Sequence, residues 1–260
     1  DATRSRDVVI SGIEPSIESL KAAIDSRLSS NGFVGVIVNT VQRAQELYVT
    51  FGTGEKIYSE NVVVGKRLSD GTEIHLFHAR YPAQERQRRE DAVRAIYGKN
   101  EGQDGKIKNR SGRRILVATQ VAEQSLDLDF DMMITDLAPI DLILQRAGRL
   151  WRHERESRPL DRPLFFVAGL DGKEPCSFGK PLWWNKIYSR EDILLRTWDH
   201  LKAKEKRKEN LCLPDEIDDL VRDVYDGVHY PDDAEILERL EKAEMNSEGD
   251  QFAKQTMAHQ

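Results

Sequence analysis

The sequence has few cysteines and no long apolar run. Its 260 residues include two cysteines, Cys176 and Cys212, which lie far apart and in no metal-ligand spacing. This excludes a disulfide framework and a zinc ribbon, and it favours a reducing, cytoplasmic compartment. No apolar run approaches the roughly 20 residues of a membrane-spanning helix, and the N-terminus lacks a signal-peptide pattern, so we expect no membrane partner. The first residue is Asp1, and we interpret the chain as a piece of a longer polypeptide.

Two kinds of catalytic motif are also missing. A phosphate-binding loop has the form G-x-x-x-x-G-K-[ST], and no Gly-Lys pair in this sequence is followed by Ser or Thr. Residues 52–56 have the wrong spacing and are interpreted as a turn, and the acidic residues 215–218 as the start of a helix. The six histidines are scattered and form no His-Asp motif of the kind that binds metal ions, so we expect no metal centre.

Charge is unevenly distributed along the chain. The formal net charge of −6 argues weakly against binding nucleic acid over the whole surface. Residues 78–114, however, contain 11 Lys and Arg against 5 Asp and Glu, whereas the sequence after residue 199 is rich in acid. This distribution is compatible with a protein that binds phosphate groups at one surface only.

Short apolar runs alternate with helical patterns up to about residue 170. We predict buried strands at residues 35–39, 73–78, 114–119, 131–136 and 164–167. We predict helices at residues 15–31, 41–51, 82–97 and 141–150, a polar approach before the first of them, and an exposed loop at 99–111. The alternation implies an α/β fold with a doubly wound parallel sheet and helices on both faces.

The composition changes after residue 169. We therefore predict two parts, a first domain at residues 1–170 and a mainly helical linker or accessory region at 171–260 that leads to a missing or partial C-terminal domain. Helices are expected at residues 191–208 and 233–245. The pair Trp183 and Trp184 suits either a docking patch or the core of the linker.

The strongest motif is QRAGRLWR at residues 145–152. On a continuous helix, Gln145, Arg149 and Arg152 recur at offsets of four and three, so they would leave from one face. Guanidinium groups presented together suit a phosphate chain, because they stabilise the charge on its oxygens during phosphoryl transfer. The alternative is a surface helix with solvated ion pairs.

A second polar cluster precedes this motif. The predicted strand that ends at Thr119 is followed by Gln120, Glu123, Gln124, Ser125 and Asp127. In doubly wound sheets, ligands bind outside the carboxyl ends of the strands. The alternatives are turn and helix capping by Thr119 and Ser125, and a solvated turn at Asp127 and Asp129.

These two stretches resemble a known family. ATQVAEQSLDLDFD at residues 118–131 and DLAPIDLILQRAGRLWRH at 136–153 are similar to motifs V and VI of superfamily 2 helicases, in particular the CRISPR-associated helicase-nucleases of type I interference systems. Residues 36–48 resemble motif IV, and residues 76–90 the motif that follows it. Motifs V and VI are far more specific than the rest of the resemblance, which extends to about residue 230.

The resemblance implies a role for each matching residue. Gln145, Arg149 and Arg152 would face a triphosphate across an interdomain cleft, with Arg152 as the arginine finger, and Asp127 would couple the nucleotide to motif VI. Six further residues would line a single-stranded DNA track: Asn39, Thr40, His78, Arg80, Thr119 and Gln120. Capping of the next helix is the alternative for Asn39 and Thr40, and a surface pair is the alternative for His78 and Arg80.

The resemblance also implies fold, cofactor and partners. It implies the second RecA-like domain of an ATP-dependent DNA helicase, using ATP with Mg²⁺ in a site completed by an N-terminal motor domain. Expected partners are single-stranded DNA, the N-terminal RecA-like and nuclease domains, and a CRISPR RNA-guided surveillance complex. Alone, the chain is expected to be inactive. The alternatives are a non-catalytic module that binds DNA or protein, and a motor domain of another superfamily 2 branch.

Overall fold

A computed structural model describes residues 5–99, 110–122, 126–172, 187–227 and 230–258. It contains nine strands: β1 (Arg6–Ile13), β2 (Gly32–Ile37), β3 (Glu55–Ser59), β4 (Val62–Arg67), β5 (Glu73–Phe77), β6 (Arg113–Ala118), β7 (Met132–Asp136), β8 (Leu164–Ala168) and β9 (Leu211–Leu213). Most of the predicted loop at 99–111, together with Glu123, Gln124, Ser125, Cys176, Trp183 and Trp184, lies outside the described residues.

The helices follow the predicted order. They are α1 (Ile17–Arg27), α2 (Val41–Thr50), α3 (Ala83–Tyr97), α4 (Ile140–Ala147), α5 (Glu191–Arg207), α6 (Ile217–Tyr225) and α7 (Ala234–Ala258), with a short 3₁₀ turn at Gln120–Ala122. Local capping fixes two of the starts, because the Ser16 and Thr40 side chains accept hydrogen bonds from backbone N–H groups in the first turns of α1 and α2.

All nine strands form one sheet in the order β3-β4-β5-β6-β2-β7-β8-β1-β9. The six central strands, from β5 to β1, run parallel, which confirms the α/β fold. The two edges are antiparallel, because β3 and β4 form a hairpin beside β5 and β9 pairs with β1. The sheet is therefore mixed rather than wholly parallel.

Both edges contain strands that the sequence did not predict. The polar approach predicted before residue 15 is wrong, since residues 6–13 form β1 with Val8 and Ile10 buried. The turn predicted at residues 52–56 is wrong at its end, because Glu55 and Lys56 begin β3. In β1 and β3, residues of different exposure are interspersed, so neither forms the continuous apolar run that marked the predicted strands.

Helices cover both faces of the sheet, as predicted. One hydrophobic cluster joins α1 and α2 to the sheet through Leu20, Ile24 and Leu47. The other includes buried residues of α3, α4, α5 and α6. Residues beyond 170 contribute β9 and α5 to this packing, and the indole N–H of Trp198 donates to the carbonyl of Gly169 at 3.1 Å. The domain division at residue 170 stays a prediction.

Candidate nucleotide and nucleic-acid sites

Helix α4 connects the two ends of the sheet. It follows β7, so it begins at the carboxyl edge of the parallel strands and runs back toward their amino edge. An α-helix rises about 1.5 Å per residue, so the 8 residues of α4 span about 12 Å. The helix thus passes between the edge that holds the predicted DNA-binding residues and the edge near which the motif arginines follow it.

The helix ends earlier than predicted. It stops at Ala147, and the chain after Gly148 pairs with the segment before β7: the Trp151 N–H donates to the Phe130 carbonyl, and the Phe130 N–H donates to the Arg149 carbonyl. Trp151 has a positive φ of 47°. The prediction that Gln145, Arg149 and Arg152 leave from one helix face is therefore wrong, because only Gln145 is helical.

The three side chains nevertheless line one surface cavity. Gln145, Arg149 and Arg152 border an open cavity of about 340 Å³ beside α4. Its opposite wall is apolar and comes from β9 and α6, through Leu213, Pro214, Ile217 and Val221. The turn after Gly148 thus replaces the expected helical turn and still brings the three polar groups to one site.

Arg152 is paired with Asp127. Its Nε lies 2.6 Å from Oδ1 of Asp127, and Nε2 of His153 lies 3.0 Å from Oδ2 of the same carboxylate. Burial lowers the pKa of His153, while Asp127 opposes that shift. The side chains of Asp127 and Arg152 are 49% and 32% exposed, so this ion pair is solvent-screened and its separation costs little free energy.

Asp129 lies in a different environment from its neighbour Asp127. It is fully buried, and its carboxylate accepts from Nε of Arg155 at 2.6 Å and from Nη2 of Arg158 at 3.0 Å. The same carboxylate accepts from the backbone N–H of Arg152 at 3.0 Å. The alternative of a solvated turn is therefore wrong for Asp129, which anchors the segment that presents Arg152.

Four of the predicted DNA-binding residues directly follow strands at the carboxyl edge. Asn39 lies two residues beyond β2, His78 follows β5, and Thr119 and Gln120 follow β6. Strand register places the last residues of these strands side by side, with Ala118 paired to both Ile37 and Phe77. Asp127 is not part of this edge, because it lies before β7 at the amino end of the sheet.

Asn39 is held by several hydrogen bonds. Its backbone N–H donates to Oδ2 of Asp136 at 2.9 Å, and its Nδ2 donates to the carbonyl of Leu137 at 2.7 Å. Nε2 of Gln120 donates to the Asn39 carbonyl at 3.3 Å, and the hydroxyl of Tyr188 donates to its Oδ1 at 3.1 Å. These four hydrogen bonds hold Asn39 in a fixed position among polar groups at the carboxyl edge of the sheet.

The predicted DNA-binding residues other than Asn39 and Gln120 differ in accessibility. Thr40 accepts a hydrogen bond from the backbone N–H of Arg43 and so caps the start of α2, which is the alternative role considered for it from the sequence. His78 is buried and stacks on Tyr81 at 4.1 Å; burial lowers its pKa, and neither of its ring nitrogens has a hydrogen-bond partner among the described residues. Thr119 is buried, whereas Arg80 is exposed.

Sequence reasoning missed three residues that organise this edge. Asp136 is buried, and burial raises its pKa although Arg43 opposes that shift from 3.2 Å. Arg146, within the strongest motif, is 1% exposed and donates to Oγ1 of Thr135 at 2.6 Å and to the carbonyl of Asp136 at 3.0 Å. Tyr188 lies outside all of the motifs. Of these three residues, only Asp136 could have been found from the sequence, because it is a charged residue at the end of an apolar strand.

Comparison with known proteins identifies the family. The family profile described as CRISPR-associated nuclease/helicase Cas3, C-terminal, matches residues 30–155. The CRISPR-associated endonuclease/helicase Cas3 of Thermus thermophilus is 42% identical over 243 residues, covering 83% of this chain and 24% of that protein. The chain belongs to the Cas3 helicase family. The Cas3 of Escherichia coli K12 is 37% identical over 174 residues, covering 66% of this chain and 18% of that protein.

Solved Cas3 structures share the fold. The crystal structure of T. fusca Cas3-AMPPNP superposes with a TM-score of 0.74 and 29% identity, covering 99% of this chain and 27% of that chain. The chain thus spans about a quarter of the length of the Cas3 relatives that it matches. Within the described residues, no helix is both long and apolar enough to cross a membrane.

Proposed function

We propose that the chain acts as the second motor domain of an ATP-dependent single-stranded DNA translocase in CRISPR interference. Gln145, Arg149, Arg152 and Asp127 contribute to an ATP site that an N-terminal motor domain completes. That domain supplies the Mg²⁺ site and the phosphate-binding loop that this sequence lacks. The observation that carries the proposal is the cavity beside α4, because it collects the polar residues of the family motif at an open surface.

The Arg152 side chain has the properties of an arginine finger. A guanidinium remains protonated at physiological pH and can form two parallel hydrogen bonds with phosphate oxygens. In the structure it pairs with a half-exposed Asp127 carboxylate, which keeps it near the cavity while the cleft is open. Closure of the cleft would exchange this carboxylate for phosphate oxygens, and Arg152 would then stabilise the charge that develops during phosphoryl transfer.

The carboxyl edge of the sheet suits a nucleic-acid backbone. Asn39, Thr40 and Gln120 offer amide and hydroxyl groups, the exposed Arg80 offers a charge, and the buried Thr119 directly precedes Gln120 at the end of β6. Such groups bind phosphate and sugar without reading bases, as a translocase requires. His78, already stacked on Tyr81, supplies an aromatic surface behind them. Six residues, on the three segments that follow β2, β5 and β6, thus form the proposed track.

The solved neighbours support the nucleotide and the partners. One is a T. fusca Cas3 structure with AMPPNP, and another is a CRISPR RNA-guided surveillance complex in a pre-nicking state, with a TM-score of 0.68 and 28% identity. We propose a surveillance complex of this kind as a partner here and, from the resemblance to helicase motifs, single-stranded DNA and the N-terminal motor and nuclease domains as further partners. A cytoplasmic location is proposed with them.

Complementation tests this function. ATP turnover is measured for this chain alone, for an N-terminal motor domain of the family alone, and for the mixture, each with and without single-stranded DNA. We expect turnover in the mixture only, with stimulation by DNA. An inactive mixture in which this chain still binds DNA would instead support the non-catalytic binding module.

A further inference from the structure

Tyr188 joins three segments that are distant in the sequence. Its hydroxyl donates to Oδ1 of Asn39 at 3.1 Å and accepts from Nη2 of Arg146 at 3.3 Å and from Nε2 of Gln120 at 3.4 Å. We propose that Tyr188 is a positioning residue that couples DNA at the carboxyl edge to the placement of α4. This inference rests on the function proposed above.

The three bonds use the whole capacity of the hydroxyl. A tyrosine hydroxyl donates one hydrogen bond and accepts two, and here it donates to Asn39 and accepts from Arg146 and Gln120. A DNA phosphate that takes the Gln120 amide, or that displaces Asn39, therefore removes a partner from Tyr188. The hydroxyl must then shift toward its remaining partners, one of which belongs to α4.

Arg146 passes such a shift to the nucleotide side. Its side chain is 1% exposed and is also held by Thr135 and the Asp136 carbonyl, so it responds to movement at the strand ends rather than to solvent. Its neighbour Gln145 is exposed and lines the cavity together with Arg149. Since α4 is short and packed against the sheet, displacement at Arg146 also moves Gln145 and the turn that follows the helix.

The test uses Tyr188→Phe in the complete helicase that contains this chain. The substitution removes one oxygen atom and keeps the ring. The measured quantity is the ratio of ATP turnover with saturating single-stranded DNA to turnover without DNA. We expect this ratio to fall about fivefold or more, a typical size for coupling between two sites. The DNA concentration for half-maximal stimulation should change less than about twofold, because the DNA contacts themselves remain.

Tyr225→Phe is the matched control. The Tyr225 hydroxyl donates to Oδ1 of Asp141 at 2.8 Å, so this substitution also removes a hydroxyl bond to α4. Asp141 borders the cavity but forms no hydrogen bond to Asn39, Gln120 or Arg146 among the described residues, so the control isolates the link to the DNA edge. We expect Tyr225→Phe to leave the ratio unchanged. If both variants lower it equally, general loosening of α4 is the cause and the proposal is overturned.

Two further outcomes are distinct. A wild-type helicase without any DNA stimulation contradicts the proposed function itself, whereas a stimulated wild type with an equally stimulated Tyr188→Phe variant overturns only the role of Tyr188. Thermal unfolding checks the fold of each variant. If Tyr188→Phe does not fold, Gln120→Met removes one partner of the hydroxyl, and an unchanged ratio in that variant likewise overturns the proposal.

Discussion

At the scale of single residues, Asp127 and Asp129 show how position decides the role of a carboxylate. They are two residues apart in an alternating stretch, LDLDFD, which on its own suggests that the acids face solvent while Leu128 and Phe130 are buried. Asp127 is half exposed beside Arg152, whereas Asp129 is fully buried among arginines. Arginines that follow later in the sequence determine this difference, so it could not be predicted locally.

The buried cluster predicts a large loss of stability for Asp129→Asn. The substitution removes the carboxylate that Arg155 and Arg158 share, although Arg158 keeps its pair with Asp131, and breaking a buried ion pair costs about 3–5 kcal/mol. The free energy of unfolding, measured by denaturant titration, should fall by about that amount. Asp91→Asn is the control, since the Asp91 side chain is 58% exposed, and a comparable loss in both variants would contradict this account.

His75 predicts a pH dependence of stability. Burial lowers the pKa of His75 from 6.5 to about 4. In the folded protein, its Nδ1 lies 2.9 Å from the Tyr97 hydroxyl. Between these pH values the unfolded chain binds a proton that the folded chain does not. The contribution of His75 to the free energy of unfolding is therefore fully present above pH 6.5. It falls by about 3 kcal/mol as the pH falls from 6.5 toward 4.

The variant His75→Gln tests this pH dependence. Denaturant titrations at several pH values should show a shallower slope for the variant between pH 6.5 and 4. Some slope should remain, because burial also lowers the pKa of His78 and His153. Parallel slopes for the variant and the wild type would show that His75 does not contribute.

At the scale of elements, the interior of the sheet could be predicted and its edges could not. All five predicted strands were found, because buried parallel strands are continuous apolar runs such as residues 33–38. The strands β1, β3, β4 and β9, which lie at or next to the two ends of the sheet, were missed because β1, β3 and β4 mix residues of different exposure and β9 has only three residues. The end of α4 was also missed, because the pairing of Trp151 with Phe130 is a tertiary contact.

The start of α2 allows two roles of Thr40 to be separated. Thr40→Ala should cost about 1 kcal/mol by removing the cap, measured by denaturant titration. Thr40→Asp keeps a capping oxygen, so its stability should match the wild type, but its charge should weaken single-stranded DNA binding about tenfold by repelling phosphates. Unchanged DNA affinity in Thr40→Asp would mean that Thr40 is a cap and lies off the proposed track.

At the scale of the whole molecule, the predicted site residues form two groups toward opposite edges of the sheet, and the cavity beside α4 extends along that helix to Asp141. The sequence predicted the members of each group through their resemblance to helicase motifs, but not their separation. It placed Asp127 with Thr119 and Gln120, whereas the chain between them crosses from the carboxyl edge to the amino edge of the sheet. Under the proposed function, DNA and nucleotide would bind without direct contact, so α4 and its neighbours would transmit any coupling between them.

The most direct test of the account is ATP turnover in the complemented mixture with Arg152→Ala. The Arg152 guanidinium lines the cavity beside a half-exposed Asp127 carboxylate, and loss of an arginine finger lowers turnover by about 10³-fold or more. Arg94→Ala is the control, since Arg94 is half exposed on α3 and pairs with Glu90. We predict that Arg152→Ala abolishes DNA-stimulated turnover while Arg94→Ala retains it; equal turnover in both variants would contradict the proposed role of this domain in the ATP site.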